Sequence, residues 1–269
     1  MLRALIVIYN KKIDDSITYN AIKDDSKIKL IIYDNSNETY IDYNKKFCKK
    51  NTIEYYTQNK NVGLSKAYNY VIRKLDVKGY LIILDDDTKL TKEYLAEVHE
   101  LTKKEEYEII LPIVKSNNKI ISPASINNSG RVKVLKNIED IDYSKITAIN
   151  SGMIIKNNVY NEIKYNEELF LDYVDHDFMD NIRKSSFNIK IMDSIINQNF
   201  SFDQKNNIDS ELHRFTIYKN DFKNYCFKNN KKIYYRVSIM IKTIKKIIKY
   251  KSLKFLMRWK EISVWSIMN

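Results

Sequence analysis

Short apolar runs that stop abruptly at Asn or Asp dominate the first hundred residues. Leu5 to Tyr9 is β-rich and gives way to polar residues at Asn10, a length that suits a buried strand better than a helix. Lys29-Leu30-Ile31-Ile32-Tyr33 stops at Asp34-Asn35-Ser36-Asn37, and Gly79-Tyr80-Leu81-Ile82-Ile83-Leu84 stops at Asp85-Asp86-Asp87. Between these two runs, Ser65 to Leu75 places Ala67, Tyr68, Val71, Ile72 and Leu75 at helical spacing, with Ser65 positioned to cap. Near-continuous apolar strands alternating with helices predict an α/β fold whose mostly parallel sheet is covered on both faces. Ligands of such sheets bind beyond the carboxyl ends of the strands. Three strands that end in Asn or Asp therefore direct polar groups to one place.

From about Tyr107 to Asp203 the pattern stays mixed: Ile109 to Val114, the stretch Ile146 to Lys156 around Gly152, an acidic cluster, then Asn188 to Asp193. Phe215 to Asn269 differs in kind, being Lys-rich and free of Gly and Pro, and reads as two or three helices. From about Ile233, the residues Val237, Met240, Ile241, Ile244, Ile247 and Ile248 form an apolar stripe, with Lys242, Lys245, Lys246 and Lys249 opposite. That is a basic amphipathic helix. Leu253, Leu256 and Met257 repeat the pattern, with Lys254, Arg258 and Lys260 as polar partners. The expected division is a domain over 1–214, with halves of about 1–100 and 101–214, followed by a basic helical extension over 215–269.

Composition changes this picture in one respect. The chain has 269 residues, 44% hydrophobic and 30% charged, with only four Gly and two Pro, which excludes disordered and collagen-like classes. Cys48 and Cys226 stand far apart and outside metal-ligand spacing, so neither a disulfide framework nor a zinc site is expected. The net charge is +12, and the segment Lys228 to Lys260 holds twelve Lys or Arg and no Asp or Glu. The excess thus belongs to the tail, and the body before it is close to neutral. The longest uncharged window, Ile120 to Gly130, is too short to span a bilayer.

Three constellations carry candidate chemistry. Asp85, Asp86 and Asp87 repel one another unless donors or a cation compensate them, and Mg²⁺ commonly joins one or two carboxylates to substrate phosphates. The alternatives are an acidic turn capped with Thr88 and a haloacid-dehalogenase-type phosphatase, which Lys89 disfavours. Strand alternation sets Asp85 and Asp87 on the same side. Asn59 to Asn69 joins a strand-like run to a helix start through Gly63, whose freedom allows close backbone approach to a phosphate. Phe170-Leu171-Asp172-Tyr173-Val174-Asp175-His176-Asp177-Phe178 interleaves acids with apolar residues, the texture a general base needs; on a helix, Asp172 and Asp175 share a face. An amphipathic helix start with acids favouring the dipole is the alternative.

In this order, the pieces resemble the family 2 glycosyltransferases of the GT-A fold. The matching residues are Val7-Ile8-Tyr9-Asn10, Asp34-Asn35-Ser36, Asn61-Val62-Gly63 with Ala67 and Asn69, Leu84-Asp85-Asp86-Asp87, Ser151-Gly152-Met153 and Tyr173-Val174-Asp175-His176-Asp177. The resemblance covers roughly residues 3–220. Phe170-Leu171-Asp172-Tyr173-Val174-Asp175, with His213-Arg214 and Tyr218-Lys219-Asn220, is most similar to the bacterial rhamnosyltransferase branch of surface-polysaccharide synthesis. The resemblance implies that Tyr9 and Asp34 frame the nucleobase, and that Asn61, Gly63 and Lys66 lie near the nucleotide. It implies further that Asp85, beside Asp86, holds the ribose side, while Asp87 ligates Mg²⁺ or Mn²⁺ on the diphosphate. Asp175 aligns with the catalytic base, Asp172 shares the role or stands second, and Asp177 third. Arg214 and Lys219 reach the diphosphate from the far side, or solvate the surface.

The expected activity is inverting transfer of a sugar from a nucleotide-diphosphate donor, deoxythymidine-diphosphate-rhamnose or a uridine-diphosphate sugar, to a lipid-linked or oligosaccharide acceptor. The tail over 228–269 is expected to hold a cytoplasmic enzyme on the inner face of the plasma membrane, each basic residue contributing about 1 kcal/mol near anionic lipid. Docking of the tail on the body or on another copy of the chain is the alternative. A nucleic-acid binder and a structural or oligomerising protein are the rival classes. The first explains the tail but leaves acid clusters that repel phosphate; the second leaves the acidic triplet without a purpose.

Overall fold

Strand β1 (Leu2–Ile8) turns Leu5 and Val7 to one face and Ala4, Ile6 and Ile8 to the other, and all five are buried. A strand buried on both faces needs cover on both, which the helices supply. The computed structural model describes residues 1–127, 131–198 and 207–256. Its strands are β1, β2 (Ile28–Asp34), β3 (Glu54–Thr57), β4 (Tyr80–Asp85), β5 (Ile109–Ser116), β6 (Lys119–Ser122), β7 (Ala124–Ile126), β8 (Val132–Lys133), β9 (Ile146–Thr147), β10 (Met153–Lys156) and β11 (Ile189–Asn197). Its α-helices are α1 (Ile17–Ile22), α2 (Glu38–Lys50), α3 (Leu64–Ile72), α4 (Lys92–Lys104), α5 (Val174–Ile182), α6 (Ile208–Lys228) and α7 (Lys232–Tyr250).

The large sheet runs β11-β5-β10-β4-β1-β2-β3, with β6 paired to β5 at its side, and β8-β7-β9 form a small second sheet. The pairs among β1, β2, β3 and β4 are parallel, as is β11 with β5, whereas β10 runs antiparallel between β4 and β5. Helices α1, α2 and α4 cover one face through Tyr19, Cys48, Tyr94 and Val98. Helices α3, α5 and α6 cover the other through Tyr68, Phe178, Phe215 and Phe222. The mostly parallel sheet with helices on both faces is the expected fold class, and the three expected strand ends fall side by side at β1, β2 and β4.

Local details differ from the sequence reading. Helix α3 begins at Leu64, one residue early, because Gly63 at φ +83° takes the cap position and Ser65 becomes a buried residue of the first turn. The division expected after residue 214 falls inside α6, which is continuous from Ile208 to Lys228 and packs Leu212, Phe215, Phe222 and Tyr225 into the main core.

Helix α7 presents two apolar faces rather than one. Tyr235 and Ile239 turn inward, while Ile233, Val237, Met240, Ile241, Ile244 and Ile248 stay exposed. Two of the lysines placed opposite the stripe turn to α6: Lys246 pairs with Glu211, and Lys242 lies 3.0 Å above the Tyr218 ring centre. Burial brings the Lys242 ammonium down to about 8. Met257, Arg258 and Lys260 lie outside the described residues. Among the described residues no helix is long and apolar enough to cross a membrane.

Candidate active site

The carboxyl ends of β1, β2 and β4 open into a cleft of about 480 Å³. Tyr9, half exposed, follows β1, and Asn35 follows β2. The Asn35 amide donates to Asn61 Oδ1 at 2.9 Å and its carbonyl accepts from Val62 N at 2.8 Å, so the two asparagines fix the 61–63 loop beside the strand ends. Gly63 is needed there on two counts. Its φ is +83°, and an added Cβ would lie 2.7 Å from both the Phe170 ring and the Phe170 carbonyl oxygen. That carbonyl accepts from Leu64 N at 2.6 Å, so the nucleotide-side loop and the acidic segment lock together at this point.

At the end of β4 the three carboxylates have separate surroundings. Ser151 donates its hydroxyl to Asp85. Burial raises the Asp85 carboxyl to about 6; the charges of Asp87, Asp86 and Asp175 act in the same direction against the Ser151 hydrogen bond. Asp86 pairs with Lys11 at 3.0 Å, and burial raises its carboxyl too. Asp87 is exposed. The strand ends at Asp85, so Asp87 sits in the turn that follows, and the expected alternation does not extend to it.

The opposite wall comes from the acidic segment and α6. Arg214 forms a bidentate pair with Asp172, one contact being 2.8 Å, and this pairing raises the guanidinium further. Asp172 and Asp175 do not share a helix face, because Tyr173 adopts a left-handed conformation at φ 63° and α5 starts only at Val174. Asp175 stands in the first turn of α5, half-buried, with the His176 N–H donating to it at 2.8 Å. Its charge reaches Asp85, Tyr68 and Tyr165. His176 also pairs with the Thr147 hydroxyl at 2.7 Å.

The profile of Glycosyl transferase family 2 matches residues 5–187. The chain belongs to that family. Low-salt glycan biosynthesis hexosyltransferase Agl10 of Haloferax volcanii is 26% identical over 211 residues, covering 72% of this chain and 66% of Agl10. The structure of GalNAc-T7 with UDP, GalNAc and Mn²⁺ aligns with TM-score 0.57 at 12% identity, over 74% of this chain and 44% of that one. S. aureus TarS 1–349 in complex with UDP aligns with TM-score 0.55 at 16% identity, over 83% and 66%. The chain thus spans less than two thirds of the length of these relatives, and the structural likeness confirms the GT-A fold expected from the motifs.

Within this family 2 chain, Tyr9, Asn61, Gly63, Asp85, Asp86, Asp87 and Arg214 all line the cleft. Six candidates do not: Asp172 and Asp175 stand outside the lining, Asp172 joined to it through Arg214, and four more lie elsewhere. Asp34 is fully buried, and its carboxylate accepts from Asn44 Nδ2 at 2.7 Å, the Tyr55 hydroxyl at 2.9 Å and Ser36 N at 3.0 Å; it ties β2 to α2 while Asn35 faces the ligand space. Lys66 is exposed on α3 outside the lining, and Lys219 is buried. Asp177 is fully buried and held by Lys228, 2.8 Å from each oxygen.

No group of three His, Cys, Asp or Glu side chains among the described residues is arranged to hold a metal ion by itself. The residues present fit a divalent cation of the other kind, which takes one or two carboxylates and completes its shell with phosphate oxygens and water: Asp85 and Asp87 are carboxylates that line the cleft. Two contributors went unread in the sequence. Lys11 balances Asp86, and Asp221 accepts three amides of the acidic segment. Neither bears a local signature, since each acts on residues about fifty or more positions away.

Proposed function

We propose that the chain is an inverting glycosyltransferase that moves a sugar from a nucleotide-diphosphate donor to an acceptor hydroxyl in glycan synthesis. One observation carries the reading: Asp85, at the end of β4, lines the cleft with Asp86 and Asp87 of the turn that follows, and Arg214 lines it from the other side, paired with Asp172, while the charge of Asp175 reaches Asp85. Tyr9 and Asn35 sit where a base stacks and hydrogen-bonds, and Asn61 and Gly63 line the path of the ribose and phosphates. Asp175 takes the proton of the acceptor hydroxyl as its oxygen bonds to the anomeric carbon, and the carbon–oxygen bond to the diphosphate breaks with its electron pair leaving on the diphosphate. Arg214 is placed to meet charge building on that leaving group. A Mg²⁺ or Mn²⁺ ion held by Asp87, with Asp85 beside it, would supply Lewis-acid stabilisation there; the Mn²⁺ in GalNAc-T7 supports this assignment.

The donor class is deoxythymidine-diphosphate-rhamnose or a uridine-diphosphate sugar. The UDP and UDP-GlcNAc complexes of TarS favour the uridine nucleotide, and the Phe-Leu-Asp-Tyr-Val-Asp motif favours the rhamnosyl branch. The acceptor is a lipid-linked or free oligosaccharide of a surface polysaccharide. The exposed row Ile233, Val237, Ile241, Ile244 and Ile248 on basic helix α7 supports seating on the inner, anionic face of a membrane. The test is a thermal-shift panel of nucleotide sugars with Mn²⁺ or Mg²⁺, followed by turnover of Asp175→Asn with the donor found. The variant is expected to bind the donor as the native enzyme does and to lose at least about 10²-fold in turnover. Near-native turnover would remove Asp175 from the base role.

A further inference from the structure

Helix α6 lies beyond residue 187, where the family profile ends, yet it bonds to and stacks on the segment that carries the acids. We propose that Asp221 of α6 is a positioning residue for Asp172 and Asp175, and that α6 is thereby part of the catalytic machinery; the inference rests on the transfer reading for what those acids do. Asp221 is 2% exposed. Its Oδ1 accepts from Phe170 N at 2.9 Å, and its Oδ2 accepts from Leu171 N and Asp172 N, both at 2.8 Å. Three consecutive amides converging on one carboxylate fix the backbone of 170–172 whatever its side chains are, and bonds of this kind are stronger than neutral ones.

The same helix holds the residues on either side. Asn224 Nδ2 donates to the Glu168 carbonyl at 2.9 Å. Phe222 and Tyr225 stack on Tyr173 at 5.1 and 4.8 Å with interplanar angles of 18° and 19°. Tyr173 needs that support, because a bulky residue at φ 63° is in a costly conformation that persists only where its surroundings enforce it. The left-handed turn at Tyr173 ends the loop and starts α5, setting Asp175 in the first helical turn. Asp172 is meanwhile gripped through its side chain by Arg214, seven residues before Asp221 on the same helix. One helix therefore sets the backbone before Asp172, the side chain of Asp172 and the turn that aims Asp175.

Asp221→Asn tests this in the full chain. The variant keeps the side-chain volume but turns one of the two acceptor oxygens into a donor facing an amide donor, so at least one of the three bonds is lost and the segment shifts. A displacement near 1 Å of a catalytic group costs on the order of 10²-fold. The expected result is a fall of 10- to 100-fold in kcat, little change in the affinity for the nucleoside diphosphate alone, and fast hydrogen exchange at 170–172 with α6 still protected. Unchanged kcat, or continued protection of the three amides, would overturn the proposal. If native enzyme transfers no sugar from any donor, the transfer reading fails, and the exchange measurement still decides whether Asp221 holds the segment. Should Asp221→Asn not fold, native-state exchange of the unaltered protein decides: the amides of Phe170, Leu171 and Asp172 must open together with α6, and independent, faster opening would sink the idea.

Discussion

The pair Lys228–Asp177 joins α6 to α5, and its two members are predicted to respond very unequally to mutation. Asp177 is fully buried, whereas the Lys228 side chain is 40% exposed. Burial raises the Asp177 carboxyl from its ordinary 3.8, with Lys228 opposing the rise. Lys228→Met strands the carboxylate without its cation, a change that costs about 3–5 kcal/mol. Proton uptake sets the ceiling. Neutralising a carboxyl of value 3.8 at pH 7 costs about 4 kcal/mol, so the expected loss is about 3–4 kcal/mol, or roughly 6–16 °C in Tm. Asp177→Asn removes the buried charge and leaves a lysine free to swing into water, for an expected loss of about 1 kcal/mol. Urea unfolding between pH 5 and 8 separates the two. In Lys228→Met the folded-state carboxyl binds its proton more tightly than the unfolded one, so stability falls as pH rises from 3.8 through the folded value; the deficit is largest at pH 7–8 and shrinks on acidification. An Asp177→Asn loss as large as that of Lys228→Met, or a deficit that grows toward pH 5, would refute the reasoning. A folded Asp177→Asn protein unable to transfer sugar would return Asp177 to the candidate bases.

Two further predictions concern the cleft wall and the tail. Gly63→Ala should cost at least about 2 kcal/mol, about 1–2 of it from φ +83° alone, and should weaken nucleotide binding because the 61–63 loop that must shift itself lines the cleft; a native Tm and native UDP titration would contradict it. Ile244→Glu with Ile248→Glu, at positions 48% and 70% exposed, should abolish co-sedimentation with anionic phospholipid vesicles and leave Tm unchanged. Equal partitioning of native and variant chains, or a native dimer that the variant breaks, would reassign the exposed face of α7.

What the sequence made legible was local. The runs at Leu5–Tyr9, Lys29–Tyr33 and Gly79–Leu84 are strands because period and length decide a buried strand, and their terminal Asn and Asp residues mark the cleft because a parallel sheet brings its carboxyl ends together. Which of two adjacent polar residues faces that cleft was not legible. Asp34 and Asn35 look equally suitable, and the choice is made by Asn44 and Tyr55, which draw the Asp34 carboxylate inward. The tail shows the same effect: hydrophobic periodicity located α7, but Tyr235 and Ile239 dock it, with Ile247 packed beside them, while Val237, Met240, Ile241, Ile244 and Ile248 of the stripe remain exposed.

The acids of 172–177 carry this furthest. In the sequence Asp172, Asp175 and Asp177 are three similar carboxylates in one apolar texture, and no local rule ranks them. In the fold, α6 assigns them different roles. Arg214 takes Asp172 at the cleft edge, and Lys228 takes Asp177 into the core. Asp175 accepts from the neighbouring His176 amide and lies within electrostatic reach of Asp85. A base must keep a carboxylate oxygen available to a substrate proton. Asp172 is bound bidentately by Arg214 and Asp177 is sealed by Lys228, whereas Asp175 is half-buried and in no ion pair among the described residues. The base role proposed for Asp175 therefore rests on what the other two acids are already doing, and on the helix that occupies them.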